Sequence, residues 1–195
     1  MNIKQSVSLL VFVGGALAAG MAFAQSETEG EAQEKAESVV REPAVGETFV
    51  AGSFSQWDLR CERLQSGADR CQMYQLLTDG SGNSVAEINF FPLPPGGPAE
   101  AGAAIMTPLE TLLTENLRVS VDGGEARVYP YSFCTVEGCV AQLGFTPEEV
   151  TGFKRGAAAQ VTLVPARAPD RTVDLNMSLS GFTAAYEELR SRAGL

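Results

Sequence analysis

The segment that most constrains the fold of this chain is YSFCTVEGCVA at residues 131–141, in which Cys134 and Cys139 are separated by four residues. Gly138 stands just before the second cysteine, and residues that favour strands lie on both sides. This spacing predicts a tight turn between two antiparallel strands, closed by a disulfide. Short apolar alternations along the rest of the chain support a mainly β protein.

The alternation of apolar and polar residues predicts most of the other strands. Residues 173–179 show it most clearly, and residues 54–61 are expected to form one half-buried strand. Residues 117–121 form another strand before the sequence DGG at 122–124, which is typical of a hairpin turn with positive φ angles. Residues 126–133 are therefore predicted to be the returning strand.

Two short helices are also expected. The sequence Thr146-Pro147-Glu148-Glu149 matches a capping box with proline in the first helical turn. Thr183 is expected to cap a C-terminal helix with one apolar side. A second capping pattern at 107–110 predicts either a short helix or a bent strand over the leucines at 112–113.

The N-terminal part of the chain predicts export. Lys4 precedes an apolar segment at 7–19, which is short for a membrane span, and Ala22-Phe23-Ala24 matches a cleavage site between Ala24 and Gln25. An uncleaved membrane anchor is the alternative. We therefore expect a signal peptide at 1–24, periplasmic localisation and no stable membrane insertion of the mature chain.

The residues that follow the cleavage site predict a linker. Residues 25–45 hold six glutamates and few large apolar side chains, so they cannot offset the entropy of ordering by burial. We expect this segment to be a disordered acidic linker. The folded domain is then expected to span residues 46–195, and the sequence does not indicate its oligomeric state.

The charge composition narrows the function. The chain has 24 acidic and 14 basic residues and no histidine. Its acidity disfavours nucleic acid as a partner, and the absence of histidine excludes Ser-His-Asp and Cys-His catalysis. We expect no cofactor, no metal and no catalytic residues. A carboxylate-based enzyme stays as an alternative, although the adjacent Glu148 and Glu149 suit helix capping better.

The four cysteines of an exported chain are expected to be oxidised. Several pairings are compatible with the sequence. Pairing of Cys61 with Cys71 and of Cys134 with Cys139 is favoured, because each pair flanks a local turn. A zinc site or a redox-active pair would usually need closer C-x-x-C spacing, so we interpret both bridges as structural.

Taken in order, several segments resemble the invasion-associated locus B family of exported proteobacterial proteins. They are WDLRC at 57–61, CQM at 71–73, residues 108–124, residues 131–141 and SLSGFTAAY at 178–186. The resemblance implies a compact β-sandwich similar to immunoglobulin-like folds, held in the periplasm or outer envelope. It brings no established catalytic residues.

Binding of an unknown envelope or host protein is therefore the expected function. Tyr129 and Tyr131, on either side of Pro130, are the candidate partner-contact residues, and packing within strands is the alternative explanation for both rings. A role in host-cell invasion or attachment is a further alternative, which rests on the family name.

Overall fold

The computed structural model describes residues 41–195. The predicted signal peptide, its cleavage site at Ala24 and Gln25, and most of the predicted linker lie outside the described residues. The described part contains eleven strands and two helices. They are β1 (Thr48–Phe54), β2 (Trp57–Arg63), β3 (Asp69–Thr78), β4 (Ser84–Pro92), β5 (Ala101–Thr107), β6 (Leu117–Val121), β7 (Arg127–Tyr129), β8 (Tyr131–Cys134), β9 (Cys139–Phe145), α1 (Pro147–Arg155), β10 (Ala158–Leu163), β11 (Val173–Ser178) and α2 (Phe182–Arg192).

The strands form one antiparallel sheet that folds into two layers. One layer has the order β1-β2-β3-β4-β5-β9-β8, and the other has the order β7-β6-β10-β11. Alternate residues of both layers contribute to a single hydrophobic core, together with one side of each helix. The prediction of a mainly β sandwich with a C-terminal helix is confirmed.

The two layers meet along one edge of β3. Residues 69–74 of this strand pair with β2, whereas Thr78 at its end pairs with Asn176 of β11. Between these points lies Gln75, a buried polar residue. Its side-chain amide donates to the Ser178 carbonyl at 2.9 Å and accepts from the Ser178 N–H at 2.7 Å. Gln75 thus supplies β11 with the pair of hydrogen bonds that a neighbouring strand would give.

An aromatic cluster fills the centre of the core. The ring of Phe90 lies 5.3 Å from that of Phe145 and 5.2 Å from that of Phe182, measured between centroids. Phe153 of α1 and Tyr186 of α2 contact the same Phe90 ring edge-on. Edge-on and offset contacts of this kind add to the free energy gained from burial. The helices are therefore held to the sheet by ring contacts.

The ends of the helices follow from local chemistry. At α1 the predicted capping box is present, because the Thr146 side chain accepts from the Glu149 N–H and the Glu149 carboxylate accepts from the Thr146 N–H. At α2 the prediction of a Thr183 cap is wrong. Gly181 is the N-cap, with φ of 85°, and a Cβ there would lie 2.0 Å from the Phe54 carbonyl oxygen. Only glycine allows this close approach.

Two strands predicted as continuous are interrupted. Residues 54–61 divide at a turn, where Ser55 has a positive φ of 58°, so β1 and β2 form a hairpin. Residues 126–133 divide at Pro130, which has no N–H to donate to a ladder. The chain passes from one layer to the other here, because β7 pairs with β6 whereas β8 pairs with β9.

The segment between β5 and β6 is not helical, despite its capping pattern. Thr111 makes an isolated bridge with Pro165, and residues 108–116 otherwise form turns. The Thr111 hydroxyl donates to the Pro108 carbonyl. No helix within residues 41–195 combines the length and apolar character needed to cross a membrane.

Substitution of Gln75 tests the contact between the layers. In Gln75→Leu the Ser178 N–H loses its partner, so we expect the free energy of unfolding to fall by about 1–3 kcal/mol in urea titrations. The matched control is Gln72→Leu on the opposite face of the same strand. We expect a smaller loss there, about 0.5–1 kcal/mol, because its hydrogen bond to the Asn89 side chain is partly exposed and no buried backbone group loses its partner. Equal losses in the two variants would contradict the assigned role of Gln75.

A second prediction concerns alkaline pH. Burial, reinforced by the adjacent Glu100 carboxylate at 3.0 Å, raises the pKa of the Tyr186 hydroxyl from 10.0 to about 12. The neutral hydroxyl is therefore favoured in the folded state. Its contribution to the free energy of unfolding is complete below pH 10 and is lost as pH rises toward 12. Over that window we expect the wild type to lose roughly 2–3 kcal/mol more stability than Tyr186→Phe. Equal losses of stability in the wild type and in Tyr186→Phe would contradict the raised pKa of Tyr186.

Candidate functional site: an apolar surface at the β8 edge

The β8–β9 hairpin ends the first layer of the sheet. A disulfide joins Cys134 to Cys139, which face each other across the hairpin, and the Thr135 N–H donates to the Gly138 carbonyl at 2.8 Å. A Cβ on Gly138 would lie 2.4 Å from the Thr107 carbonyl oxygen. The hairpin tip therefore lies directly against the end of β5.

A row of residues runs across the outer face of this layer and ends at the hairpin. Strand register places each member beside the next, since directly paired residues of antiparallel strands share a face. From β3 to β8 the row is Leu76, Glu87, Met106, Val140 and Phe133. We call Leu76, Met106, Val140 and Phe133, together with Val136 at the hairpin tip, the β8-edge surface.

Three members of this surface are exposed although they are large apolar residues. Val136 is 88% exposed, Phe133 is 50% exposed and Leu76 is 48% exposed. Val140 is buried although it is not part of the main core, because it is covered on the outer face by its own neighbours. Phe133 and Val136 are three residues apart at the same hairpin, and neighbouring exposed apolar side chains of this kind favour an interaction site.

A depression and two carboxylates complete the site. The depression has a volume of about 300 Å³ and is lined by Leu76, Met106 and Pro108 on its apolar side. Glu87 and Glu137 stand beside it. Glu137 accepts from the Thr135 hydroxyl at 2.7 Å, which orients its carboxylate at the hairpin tip. The site is therefore apolar over Met106, Val140 and Phe133, and the two carboxylates lie beside that part.

The predicted contact residues Tyr129 and Tyr131 lie elsewhere. Tyr129 is only 7% exposed, and its ring packs 6.1 Å from that of Phe145. Tyr131 is half-buried, with a hydroxyl that is enclosed and has no hydrogen-bond partner. Burial raises the pKa of both hydroxyls. Tyr129 is therefore explained by packing within the strands, the alternative given for both rings, whereas contact of the half-buried Tyr131 with a partner stays a prediction.

Phe133 and Val136 are the residues that sequence analysis missed. A regular strand would place Phe133 on the same face as Tyr131, because the two residues are two positions apart. A register shift between Tyr131 and Phe133 changes this relation, so that one ring turns inward and the other outward. A bulge of this kind has no sequence marker here.

The second disulfide lies at the other side of the layer. Cys61 of β2 and Cys71 of β3 are directly opposite each other and are bonded. Both observed bridges are thus the local pairings that the cysteine spacing favoured. Each connects neighbouring strands of the same hairpin and closes a short loop.

The carboxylates considered for catalysis have structural partners. Glu149 accepts from the Thr146 N–H and forms an ion pair with Arg127. Hydrogen bonding from its own backbone N–H, followed by the Thr146 hydroxyl, lowers the pKa of the Glu148 carboxyl. A general acid would need the opposite shift. Within residues 41–195 no group of three acidic or cysteine side chains is arranged to hold a metal ion.

Comparison with known proteins gives consistent results. The family model described as "Invasion associated locus B (IalB) protein" matches residues 57–190. Proteins named "Invasion protein B homolog" from two Brucella abortus strains are 22% identical over 147 residues, which is 75% of this chain and 82% of each relative.

A solved structure has the same fold. The crystal structure of invasion associated protein B from Bartonella henselae superimposes with a TM-score of 0.62 and 18% identity, covering 76% of this chain and 99% of that one. Because the family model spans more than half of the sequence, the chain belongs to the invasion associated locus B family.

Proposed function

We propose that this chain is an exported, non-enzymatic protein of the bacterial cell envelope that binds a partner protein through the β8-edge surface. The observation that carries the proposal is the exposed apolar row that ends at an unpaired edge strand. Phe133 and Val136 present apolar groups to solvent there. β8 has a sheet neighbour on one side alone, so its backbone is also accessible to an added strand.

Export is supported by two independent features. The sequence at 1–24 matches a signal peptide, with cleavage expected between Ala24 and Gln25. All four cysteines are also paired, and such bridges persist in oxidising compartments such as the periplasm. Both features are expected of a chain that works outside the cytoplasm.

The chemistry of the surface indicates the kind of partner. Glu87 and Glu137 lie beside the apolar part, and the chain as a whole carries a formal net charge of −10. A partner segment with apolar side chains next to lysine or arginine would complement it. Nucleic acid and anionic lipid would be repelled.

Attachment to or entry into host cells is a second candidate function. It is favoured by the names of the relatives from Brucella abortus and Bartonella henselae, which refer to invasion. In that case the partner of the β8-edge surface would be a host protein rather than an envelope protein. The same surface would serve both candidates, and the host candidate is tested by carrying out the same cross-linking during contact with host cells.

Site-specific cross-linking in the exporting bacterium tests the proposed surface. With a photoreactive amino acid at position 133 or 136, we expect the same partner to be captured from both positions. The matched control is position 50, because Val50 is 55% exposed on β1 at the opposite edge of the layer. We expect no such adduct there.

A pair of substitutions sharpens this test. Val136→Asp should reduce capture from position 133 by about fivefold or more, because a buried interface anchor is lost and an acid is added next to Glu137. Val50→Asp should leave capture unchanged. Equal capture from positions 50 and 133, or no effect of Val136→Asp, would rule out the β8-edge surface as the docking site.

Processing and oxidation can be tested on the same exported protein. We expect N-terminal sequencing to begin at Gln25. We also expect mass measurement to show no alkylated thiol before reduction and four alkylated thiols afterwards. A chain that starts at Met1 would indicate the uncleaved membrane anchor instead of a cleaved signal peptide, and a chain that is alkylated without reductant would contradict export into an oxidising compartment.

A further inference from the structure

A second concave site, separate from the β8-edge surface, lies between the β6–β7 hairpin and α1. Its volume is about 340 Å³, within the range of small-molecule pockets. Its walls are mainly apolar and include three aromatic rings. They are formed by Val119, Val121, Tyr129, Phe145 and Phe153.

Gly152 keeps this cavity open. It lies in the interior of α1, where glycine is less favourable than alanine. A Cβ at this position would meet no atom within 4 Å, so close packing does not require glycine. The φ angle of Gly152 is not positive either. The empty volume that a larger side chain would occupy belongs to the cavity.

Charged groups surround the mouth of the cavity. Arg127 is paired with Glu149, and its guanidinium carbon lies 5.5 Å from the centroid of the Tyr129 ring. Glu125 is exposed at the same mouth. No hydrogen bond or ion pair holds the Glu125 carboxylate within residues 41–195. With Arg127 neutralised by Glu149, the mouth carries one uncompensated negative charge.

We propose that this cavity binds a small molecule with an apolar body of aromatic size and one cationic group, such as an arylalkyl amine. The body would lie against Val121 and Gly152, and its burial would supply most of the binding free energy. The rings of Tyr129, Phe145 and Phe153 are at most 7% exposed, so they add little contact area. The ammonium group would remain at the mouth beside Glu125. This activity goes beyond partner binding, because the cavity and the β8-edge surface share no residue.

Binding of phenethylamine to the full mature protein tests the proposal. We expect isothermal titration calorimetry to detect binding of phenethylamine. In protein NMR spectra, we expect the resonances that shift on addition of phenethylamine to cluster around Val119, Gly152 and Phe153. Hydrocinnamate, which has a similar body but a carboxylate, should bind more weakly. Absence of phenethylamine binding, or tighter binding of hydrocinnamate, would overturn the proposal.

Different variants test the cavity and the negative charge at its mouth. Gly152→Leu should abolish binding while leaving the thermal unfolding midpoint equal or higher, because leucine fills the cavity and favours the helix. Thr151→Leu, at the exposed neighbouring position, should bind normally. Glu125→Gln should weaken phenethylamine binding about three- to fivefold, and it should not weaken the binding of hydrocinnamate.

The outcomes decide each part of the proposal. If Gly152→Leu does not fold, Gly152→Ala and the NMR mapping on the wild type still locate the site. Undiminished binding to a folded Gly152→Leu would exclude this cavity. An unchanged affinity of Glu125→Gln would exclude the assigned recognition of the cation.

Discussion

The architecture depends on the hydrogen bonds between the Gln75 side chain and the backbone of Ser178. At this point β3 leaves β2 and has not yet met β11, so both backbone groups of Ser178 would otherwise lack a ladder partner. The Gln75 amide supplies a donor and an acceptor, and the Trp57 indole N–H adds a second donor to the Ser178 carbonyl. One sheet can therefore divide into two layers without leaving the backbone groups of Ser178 unpaired, and unpaired buried backbone groups are rare in folded proteins.

Division of the sheet also creates the two sites. Because the chain crosses between the layers at Pro130, β7 and β8 become edges of different layers. The β8 edge carries Phe133 outward, whereas β7 turns Tyr129 inward to form one wall of the cavity under α1. The outer site is broad and has two carboxylates beside its apolar part, as expected for a protein partner. The inner site is half-open and is lined by aliphatic and aromatic side chains, as expected for a small ligand.

Much of the fold could be predicted from sequence, because its signals are local. The alternation at 173–179, the capping box at Thr146 and the spacing of Cys134 and Cys139 each determine the conformation of their own segment. The interrupted strands were missed for the opposite reason. The break at Pro130 reflects which layer each half joins, and the Gly181 cap depends on Phe54, a residue distant in sequence. The β8-edge surface likewise depends on a bulge and on the register of five strands, and neither can be predicted from a single sequence.

The central claim is that the edge of β8 is open in the isolated protein and covered in the cell envelope. Amide hydrogen exchange measures this most directly, because it reports protection of individual backbone N–H groups. The account predicts that the N–H groups of residues 132–137 without an intramolecular acceptor exchange quickly in the purified protein and become protected in a native periplasmic extract, while β1 is unchanged between the two samples. Identical exchange of residues 132–137 in both samples, or new protection confined to β1, would contradict it.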